Sequence, residues 1–299
     1  MISSPVTAAA SSVHQKSDFR FFHRLRVRWA EVDMQKIVFN AHYLMYFDTA
    51  IADYWRALGL PYEDAMAGLQ GDLYVRKATI EFNASARIDD RLDIGMTCVR
   101  VGKSSIVFHG GLFRGNDLLV SCELVYVFAD PKTQSSRPVP PALRDVFSAY
   151  EAGENMVEVR VGSWSDLGEG ASQLRAAVFI EEQRIPKELE WDEGDAVALH
   201  AVARNRLGQV IATGRLVEDE HPGRARIGRM AVHRILRGEG HGAAVLTALE
   251  AAARSRGKRD IALHAQRSAE GFYAGLGYEV SGEPFEEAGI PHIEMCKAL

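Results

Sequence analysis

Apolar and polar positions follow one pattern up to about residue 154 and another beyond it. In the first part, residues 21–29 are rich in β-formers and predict a strand. Residues 43–58 then place Phe47, Ile51, Tyr54, Trp55 and Leu58 at helical spacing, closed by Gly59 and Pro61. Much of the opposite face is apolar too, so this helix is expected to be largely buried. Residues 73–83, 92–101, 105–114 and 118–129 alternate or run apolar. Turn sequences separate them at Arg87-Ile88-Asp89-Asp90, Gly102-Lys103 and Gly115-Asn116-Asp117. Strands joined by such turns form hairpins, so the pattern predicts an antiparallel sheet wrapped around one buried helix.

Four of the ten prolines, Pro131, Pro138, Pro140 and Pro141, fall together after this run. A brief helical pattern over 142–150 and the polar stretch 151–155 follow, which reads as a linker. Beyond it, strands are expected at 157–161, 197–204, 209–217, 226–233, 260–265, 278–282 and 292–297. Helices are expected around 168–182, 241–256 and 268–276. This is a mixed α/β pattern. The division predicted is a disordered lead-in over 1–18, a first domain over 19–152 and a second over 157–299. The halves show no internal repeat.

A chain of 299 residues suits two domains, and 47% apolar with 25% charged residues is ordinary for globular protein. The net charge of -5 gives no basic balance that would point to nucleic acid. The cysteines, Cys98, Cys122 and Cys296, are scattered and odd in number, which fits neither a disulfide framework nor a metal site. No apolar run reaches the roughly 18 residues of a membrane helix. The start lacks a basic segment followed by a long apolar stretch. A cytoplasmic protein without metal, membrane or nucleic-acid partner is expected.

The first chemically suggestive segment runs from Arg28 to Asp48. It sets Asp33 in a loop just ahead of the buried helix. A helix start offers free N–H groups and a positive dipole end. Those groups could hold an oxyanion while a carboxylate attacks a carbonyl or activates water. Asp in a loop also commonly just caps a turn. The segment Asp33, then Val38-Phe39-Asn40-Ala41-His42-Tyr43-Leu44, then Tyr46-Phe47-Asp48, resembles the hotdog-fold acyl-CoA thioesterases of the 4-hydroxybenzoyl-CoA thioesterase type. The resemblance spans roughly residues 20–150. It implies Asp33 as catalytic nucleophile or general base, with Asn40 and His42 as supporting groups. It also implies a homo-oligomer with sites at subunit interfaces. Two departures stand out. Several relatives carry Gly shortly after the Asp, where this chain has Gln35-Lys36, and a position often occupied by His holds Asn40. His42 equally fits an ordinary place on the helix face.

The second segment leads from an apolar strand through Arg237-Gly-Glu-Gly240-His-Gly242 into a helix with Val245, Leu246, Leu249 and Ala253 on one face. Glycines let backbone approach a phosphate, and the helix start supplies donors. The P-loop pattern is absent, and a dinucleotide fingerprint fits poorly because Val232 lies well before Gly238. A plain glycine-rich loop is the remaining alternative. Farther on stands Ala269-Glu-Gly-Phe272-Tyr273-Ala-Gly-Leu-Gly277-Tyr278. Together with the upstream 178–192 segment and Gly289-Ile-Pro-His292-Ile-Glu-Met, these motifs resemble the GCN5-related N-acetyltransferases (GNAT). That resemblance covers about 157–299. It implies acetyl-CoA along Met230, Ala231 and Val232, with its pyrophosphate on the backbone of Arg237, Gly238, Gly240, His241 and Gly242. Tyr273 would protonate the leaving thiolate. Glu182, His200, His264, His292 or a water could serve as base toward an amine acceptor.

The expected fold is thus a hotdog domain followed by a GNAT mixed-sheet domain. The expected function is bifunctional: acyl-CoA hydrolysis by the first domain and acetyl transfer to an amine by the second. Coenzyme A thioesters serve both as substrates. The alternative is an acyl-CoA-binding sensor in which one domain is catalytically inactive.

Overall fold

The computed structural model describes residues 15–299. The chain forms two compact units. One holds the described residues up to Ala57 together with Tyr62–Glu154, and the other holds Leu58–Pro61 and Asn155–Leu299.

The first unit contains β1 (Phe21–Arg26), α1 (Asn40–Ala57), α2 (Tyr62–Leu69), β2 (Asp72–Phe82), β3 (Arg91–Val101), β4 (Ser105–Arg114), β5 (Asp117–Ala129) and α3 (Pro141–Glu151). Its strands lie in the order β1-β3-β4-β5-β2, every neighbouring pair antiparallel. The aromatic face of α1 is the core: Tyr43, Tyr46, Phe47, Ile51, Tyr54 and Trp55 are all buried. Tyr54 meets Phe21 and Phe108 edge-on at 5.5 and 5.6 Å between ring centres. Gly110 is what lets the helix lie this close to the sheet. A Cβ there would stand 2.8 Å from Phe47 Cε1 and 2.6 Å from Cys122 Sγ.

Two expectations for this unit are corrected, and one helix is added to them. The strand expected over 21–29 stops at Arg26, because Trp29–Glu31 turns as a short 3-10 helix whose start is held by the Glu31 carboxylate. The segment after Pro61 is helical: α2 buries Ala65 and Met66, and Glu63 and Asp64 favour its positive N-terminal end. Its eight residues are too short for a periodic apolar signal. The lead-in expected over 1–18 is ordered at its end. Lys16–Asp18 forms a 3-10 turn, Lys16 pairs with Asp93 and bonds the Gly115 carbonyl at 3.0 Å, and Phe19 is buried over Gly95. Burying that ring fixes the turn before it. Residues 1–14 of the expected lead-in lie outside the described residues.

The second unit contains β6 (Val157–Gly162), α4 (Trp164–Arg175), α5 (Lys187–Glu190), α6 (Gly194–Val197), β7 (Leu199–Asn205), β8 (Val210–Glu218), β9 (Arg224–Val232), α7 (His241–Ser255), β10 (Asp260–Gln266), α8 (Glu270–Ala274), β11 (Glu279–Val280), β12 (Phe285–Glu287) and β13 (Ile290–Ala298). The sheet order is β11-β13-β10-β9-β8-β7-β6, with β12 paired to β13. Strands β9 and β10 run parallel, and α7 makes the crossover between them. Val245, Leu246, Leu249 and Ala253 bury the inner face of α7 on one side of the sheet. On the other side α4 and the segment after it place Leu174, Val178 and Phe179 on Ala231. The helix expected over 168–182 begins earlier, at Trp164, and passes into π-helix at Ala176–Glu182. The one expected over 268–276 divides into a 3-10 turn, Arg267–Ala269, and α8.

Phe47 is fully buried. Phe47→Ala is therefore expected to destabilise the first unit by about 3–5 kcal/mol, read from urea unfolding. A loss under about 1 kcal/mol contradicts the packing described.

Candidate functional site

The loop ahead of α1 is fastened at both ends. Val32 bridges Val38, Ile37 bridges Arg87, and the Phe39 amide donates to the Glu31 carbonyl at 2.9 Å. Asp33 sits at the tip. Its amide bonds the Ile37 carbonyl at 2.9 Å, its carbonyl accepts from Lys36 at 2.9 Å, and its Oδ1 accepts from the Gln35 amide at 2.8 Å. This closes a tight Asx turn with one carboxylate oxygen in use. Lys36 completes the turn at φ 63, a left-handed conformation that glycine adopts at no steric cost. A lysine holds that conformation here. Asn40 opens α1 and is exposed, and His42 is half-buried with its ring edge-on to Phe39. Among the described residues no hydrogen bond joins Asp33 to Asn40 or His42.

The group that organises this loop is one the sequence reading passed over. Glu31 is buried, and its carboxylate accepts from the Arg28 amide, Arg28 Nε and the Tyr46 hydroxyl, each at 2.7 Å. Burial alone would raise its pKa. The three donors and the Arg28 charge outweigh that and hold it below the usual carboxylate range. Its signal was present in Arg28-Trp-Ala-Glu31, a carboxylate three residues after an arginine.

The glycine loop of the second unit also begins from strand geometry. Pairing between β9 and β10 ends at Ile227 with Leu263, and the strands diverge from there. On the other side β9 stays paired to β8 as far as Val232, across a bulge where Arg229 has φ 52. Gly228, Met230, Ala231 and Val232 therefore turn an unpaired backbone edge toward the gap. A cavity of about 440 Å³ lies there, lined among others by Phe179, Gly228, Met230, Gln266, Tyr273 and His292. Met230 and Val232 are partly buried and Ala231 is buried.

The loop after β9 leads to the start of α7. Gly238 and Gly240 have φ 90 and 86, and a Cβ added to either would meet nothing within 4 Å. Gly240 is the N-cap of α7, and no side chain caps it. The first-turn amides of Gly240, His241 and Gly242 have no intrahelical acceptor and converge with the helix dipole on this open surface. Burial lowers the pKa of the His241 ring, and among the described residues its Nε2 has no hydrogen-bond partner. The Arg237 side chain is engaged elsewhere, forked onto Glu182 at 2.6 and 2.7 Å. Its amide closes the preceding 3-10 turn on the Arg234 carbonyl at 3.5 Å, which leaves its own carbonyl and the glycine amides after it at the loop.

Tyr273 is buried beside Phe272 and Tyr278, and among the described residues its hydroxyl makes no hydrogen bond. Burial pushes its pKa up to about 12, so it carries its proton at neutral pH. A buried ion-pair network forms the adjoining wall. Arg175 bonds Glu190 at 2.5 Å and Asp195 at 2.8 Å between the rings of Trp164 and Trp191. Arg229 reaches Asp192 at 3.2 Å, which also takes two bonds from Arg215. Sequence spacing did not connect these residues, which meet only through the fold. Of the four candidate bases, His264 and His292 line the cavity. Glu182 is held by Arg237, and His200 is buried against the Asp195 carbonyl at 3.0 Å. Among the described residues no cluster of three or more ligating side chains is present, and no helix is long and apolar enough to cross a membrane.

Fold and sites together define a two-domain, CoA-dependent protein. Residues 35–121 match the thioesterase superfamily and residues 168–299 match the acetyltransferase (GNAT) domain. The chain belongs to the GNAT acetyltransferase family through its second unit and carries a hotdog thioesterase domain in its first. Both domain types use CoA thioesters. The "Uncharacterized protein YyaT" of Bacillus subtilis is 34% identical over 143 residues, covering 47% of this chain and 94% of that protein. The "Uncharacterized N-acetyltransferase YjcF" of the same organism is 36% identical over 128 residues, covering 42% and 89%. Among solved structures, Escherichia coli ElaA is 28% identical at TM-score 0.43, covering 48% of this chain and 99% of that one. Slr0204, a 1,4-dihydroxy-2-naphthoyl-CoA thioesterase from Synechocystis, is 18% identical at TM-score 0.40, covering 43% and 95%.

Two measurements check the loop geometry. Lys36→Gly is expected to raise stability by about 0.5–1 kcal/mol and Lys36→Val to lower it by about 1 kcal/mol or more, because only glycine relaxes at a positive φ. Equal effects from both contradict the left-handed turn. Glu31 has a depressed folded-state pKa, so its contribution is fully present above the unfolded carboxylate's titration near about 4.3 and is lost as pH falls below it. Glu31→Gln is expected to flatten that acid limb of the stability profile and to cost about 1–3 kcal/mol at pH 7.

Proposed function

We propose that the first unit hydrolyses acyl-CoA thioesters through Asp33 and that the second transfers acetyl from CoA to an amine with Tyr273 as acid. The observation that carries the second half is the divergence of β9 and β10. It leaves a backbone edge for a pantetheine arm at Met230, Ala231 and Val232. The amides of Gly238, Gly240, His241 and Gly242, with the backbone of Arg237, lie where a pyrophosphate would follow. Glycine at φ near 90° keeps that surface free of side chains. Tyr273 lines the same cavity with an uncommitted hydroxyl, placed to protonate a departing thiolate.

In the first unit the free carboxylate oxygen of Asp33 is the attacking or proton-accepting atom. The amides at the start of α1 and the Asn40 carboxamide are the donors near a developing oxyanion. The reading includes assembly of like chains. Strand β2 is an edge strand, and it exposes Tyr74, Val75 and Phe82. Trp29 and Met34, in the segment ahead of α1, are 81% and 100% exposed. Paired edges and covered apolar side chains are what a hotdog homo-oligomer would supply. The protein is read as cytoplasmic, with acyl-CoA and an amine as its small-molecule partners.

A second reading, an acyl-CoA sensor, is favoured by one observation: Asp33 Oδ1 is spent on the Gln35 amide, and neither Asn40 nor His42 is bonded to it. Release of free CoA thiol from a panel of acyl-CoAs separates the two. Without amine, hydrolysis is expected and Asp33→Asn should lower it about 100-fold or more, leaving Tyr273→Phe unaffected. Amine-dependent release is expected to show the reverse sensitivity. Tight acyl-CoA binding with no thiol release overturns the hydrolase reading and leaves the sensor.

A further inference from the structure

The acceptor amine arrives as an ammonium ion and must lose a proton before its nitrogen can attack. Each basic group around the cavity can be tested by asking whether it keeps a free lone pair. Arg226 donates to His264 Nε2, and an arginine can only donate, so that nitrogen is the acceptor. His264 Nδ1 then carries the hydrogen and gives it to Glu287 at 3.0 Å. Both nitrogens of His264 are committed. Glu190 is committed to Arg175 at 2.5 Å, and its other oxygen faces Arg229 at 3.5 Å.

His292 is different. Its Nδ1 lies 2.7 Å from the Ile290 carbonyl oxygen, which can only accept. Nδ1 must therefore carry the hydrogen, and the lone pair is on Nε2. Among the described residues Nε2 has no hydrogen-bond partner. The ring is stacked on Phe285 at 5.9 Å and 23° and lines the same cavity as Tyr273. Stacking and the carbonyl bond fix the tautomer and the orientation, the two things a positioned base requires.

Resting on the acetyltransferase reading of the second unit, we propose that His292 Nε2 is the general base that deprotonates the acceptor amine. The ammonium gives one proton to Nε2, which later passes it to solvent. The neutral amine attacks the thioester carbonyl carbon, forming C–N. The C–S bond breaks, and the thiolate takes the Tyr273 phenolic proton. The second proton of the new amide nitrogen restores the tyrosine. The sum is one N-acetylated amine, one CoA thiol and one released proton.

The groups that set the field around His292 are accounted for. On β12, Glu287 is bonded to His264. On β13, Glu294 lies 3.5 Å from Arg226. Arg215 and Arg229 are tied to Asp192, Glu190 to Arg175, and Tyr273 is neutral. Glu287 also lines the cavity and has one carboxylate oxygen bonded, to His264, but its side chain is half exposed, whereas His292 is buried with its tautomer fixed.

The test uses the full chain with acetyl-CoA and four probe amines: spermidine, tryptamine, glucosamine and a lysine peptide. The unsubstituted protein is expected to acetylate at least one. His292→Gln places an amide near the Nε2 position that cannot take a proton. It should lower kcat/KM for that amine about 100-fold near neutrality while leaving the KM for acetyl-CoA unchanged. The deficit should narrow as pH approaches the amine's own pKa, which a merely structural defect would not do. A uniform loss at every pH overturns the assignment. So does an acid limb removed by His264→Gln and kept by His292→Gln. If no probe is acetylated, the transferase reading falls and the assignment falls with it. Should His292→Gln fail to fold, 15N spectra of the unsubstituted protein decide: a hydrogen on Nδ1 and a lone pair on Nε2 are expected, and the opposite tautomer overturns the proposal.

Discussion

The second unit depends on one interruption in a ladder of hydrogen bonds. Had β9 and β10 continued to pair beyond Ile227 and Leu263, the sheet would be closed where the cavity lies. The interruption has a local cause. Arg229 adopts a left-handed conformation, and the register against β8 slips between Thr213 and Arg215. A bulge adds twist and turns a strand away from its neighbour. A non-glycine residue in that conformation costs about 1–2 kcal/mol. The ion pairs of Arg229 with Asp192 and Glu190 hold it there, and those carboxylates are in turn held by Arg215 and Arg175. The buried network thus supports the shape of the cavity as well as its wall.

The first unit turns on a different constraint. An aromatic helix has to lie on a curved sheet, and Gly110 supplies the space that Phe47 fills. With α1 seated, its N-terminus and the Asp33 loop are fixed together, because Tyr46 on the helix bonds Glu31 in the loop. The position of Asp33 therefore depends on a buried carboxylate two residues before it. Glu31 sets the loop, the loop sets the Asx turn, and the turn decides which oxygen of Asp33 is free.

Much of this was legible in the residues themselves. The apolar spacing from Phe47 to Trp55 marked the buried helix, and the turn sequences between 87 and 117 marked the hairpins. Asp33 ahead of Asn40 and the Arg237–Gly242 run were visible as motifs because their parts are close in sequence. Short elements were not: α2 is eight residues long, and α5 and α6 four each, below the length at which periodicity speaks. Nor were the partnerships that cross the fold. Glu182 was noted as a possible base and is the counter-ion of Arg237. His264 and His292 looked alike in sequence, and only their hydrogen-bond partners distinguish them. Lys36 reads as a departure from a glycine, yet its backbone adopts a left-handed conformation that glycine favours.

The central claim is that a CoA thioester binds the second unit along the free edge of β9, with its pyrophosphate on the start of α7. A crystal structure of the full chain grown with CoA tests it most directly. The account predicts the pyrophosphate within hydrogen-bond reach of the Gly238, Gly240 and Gly242 amides and the sulfur beside Tyr273. A CoA bound elsewhere on the second unit, with that edge and those amides empty, would contradict it.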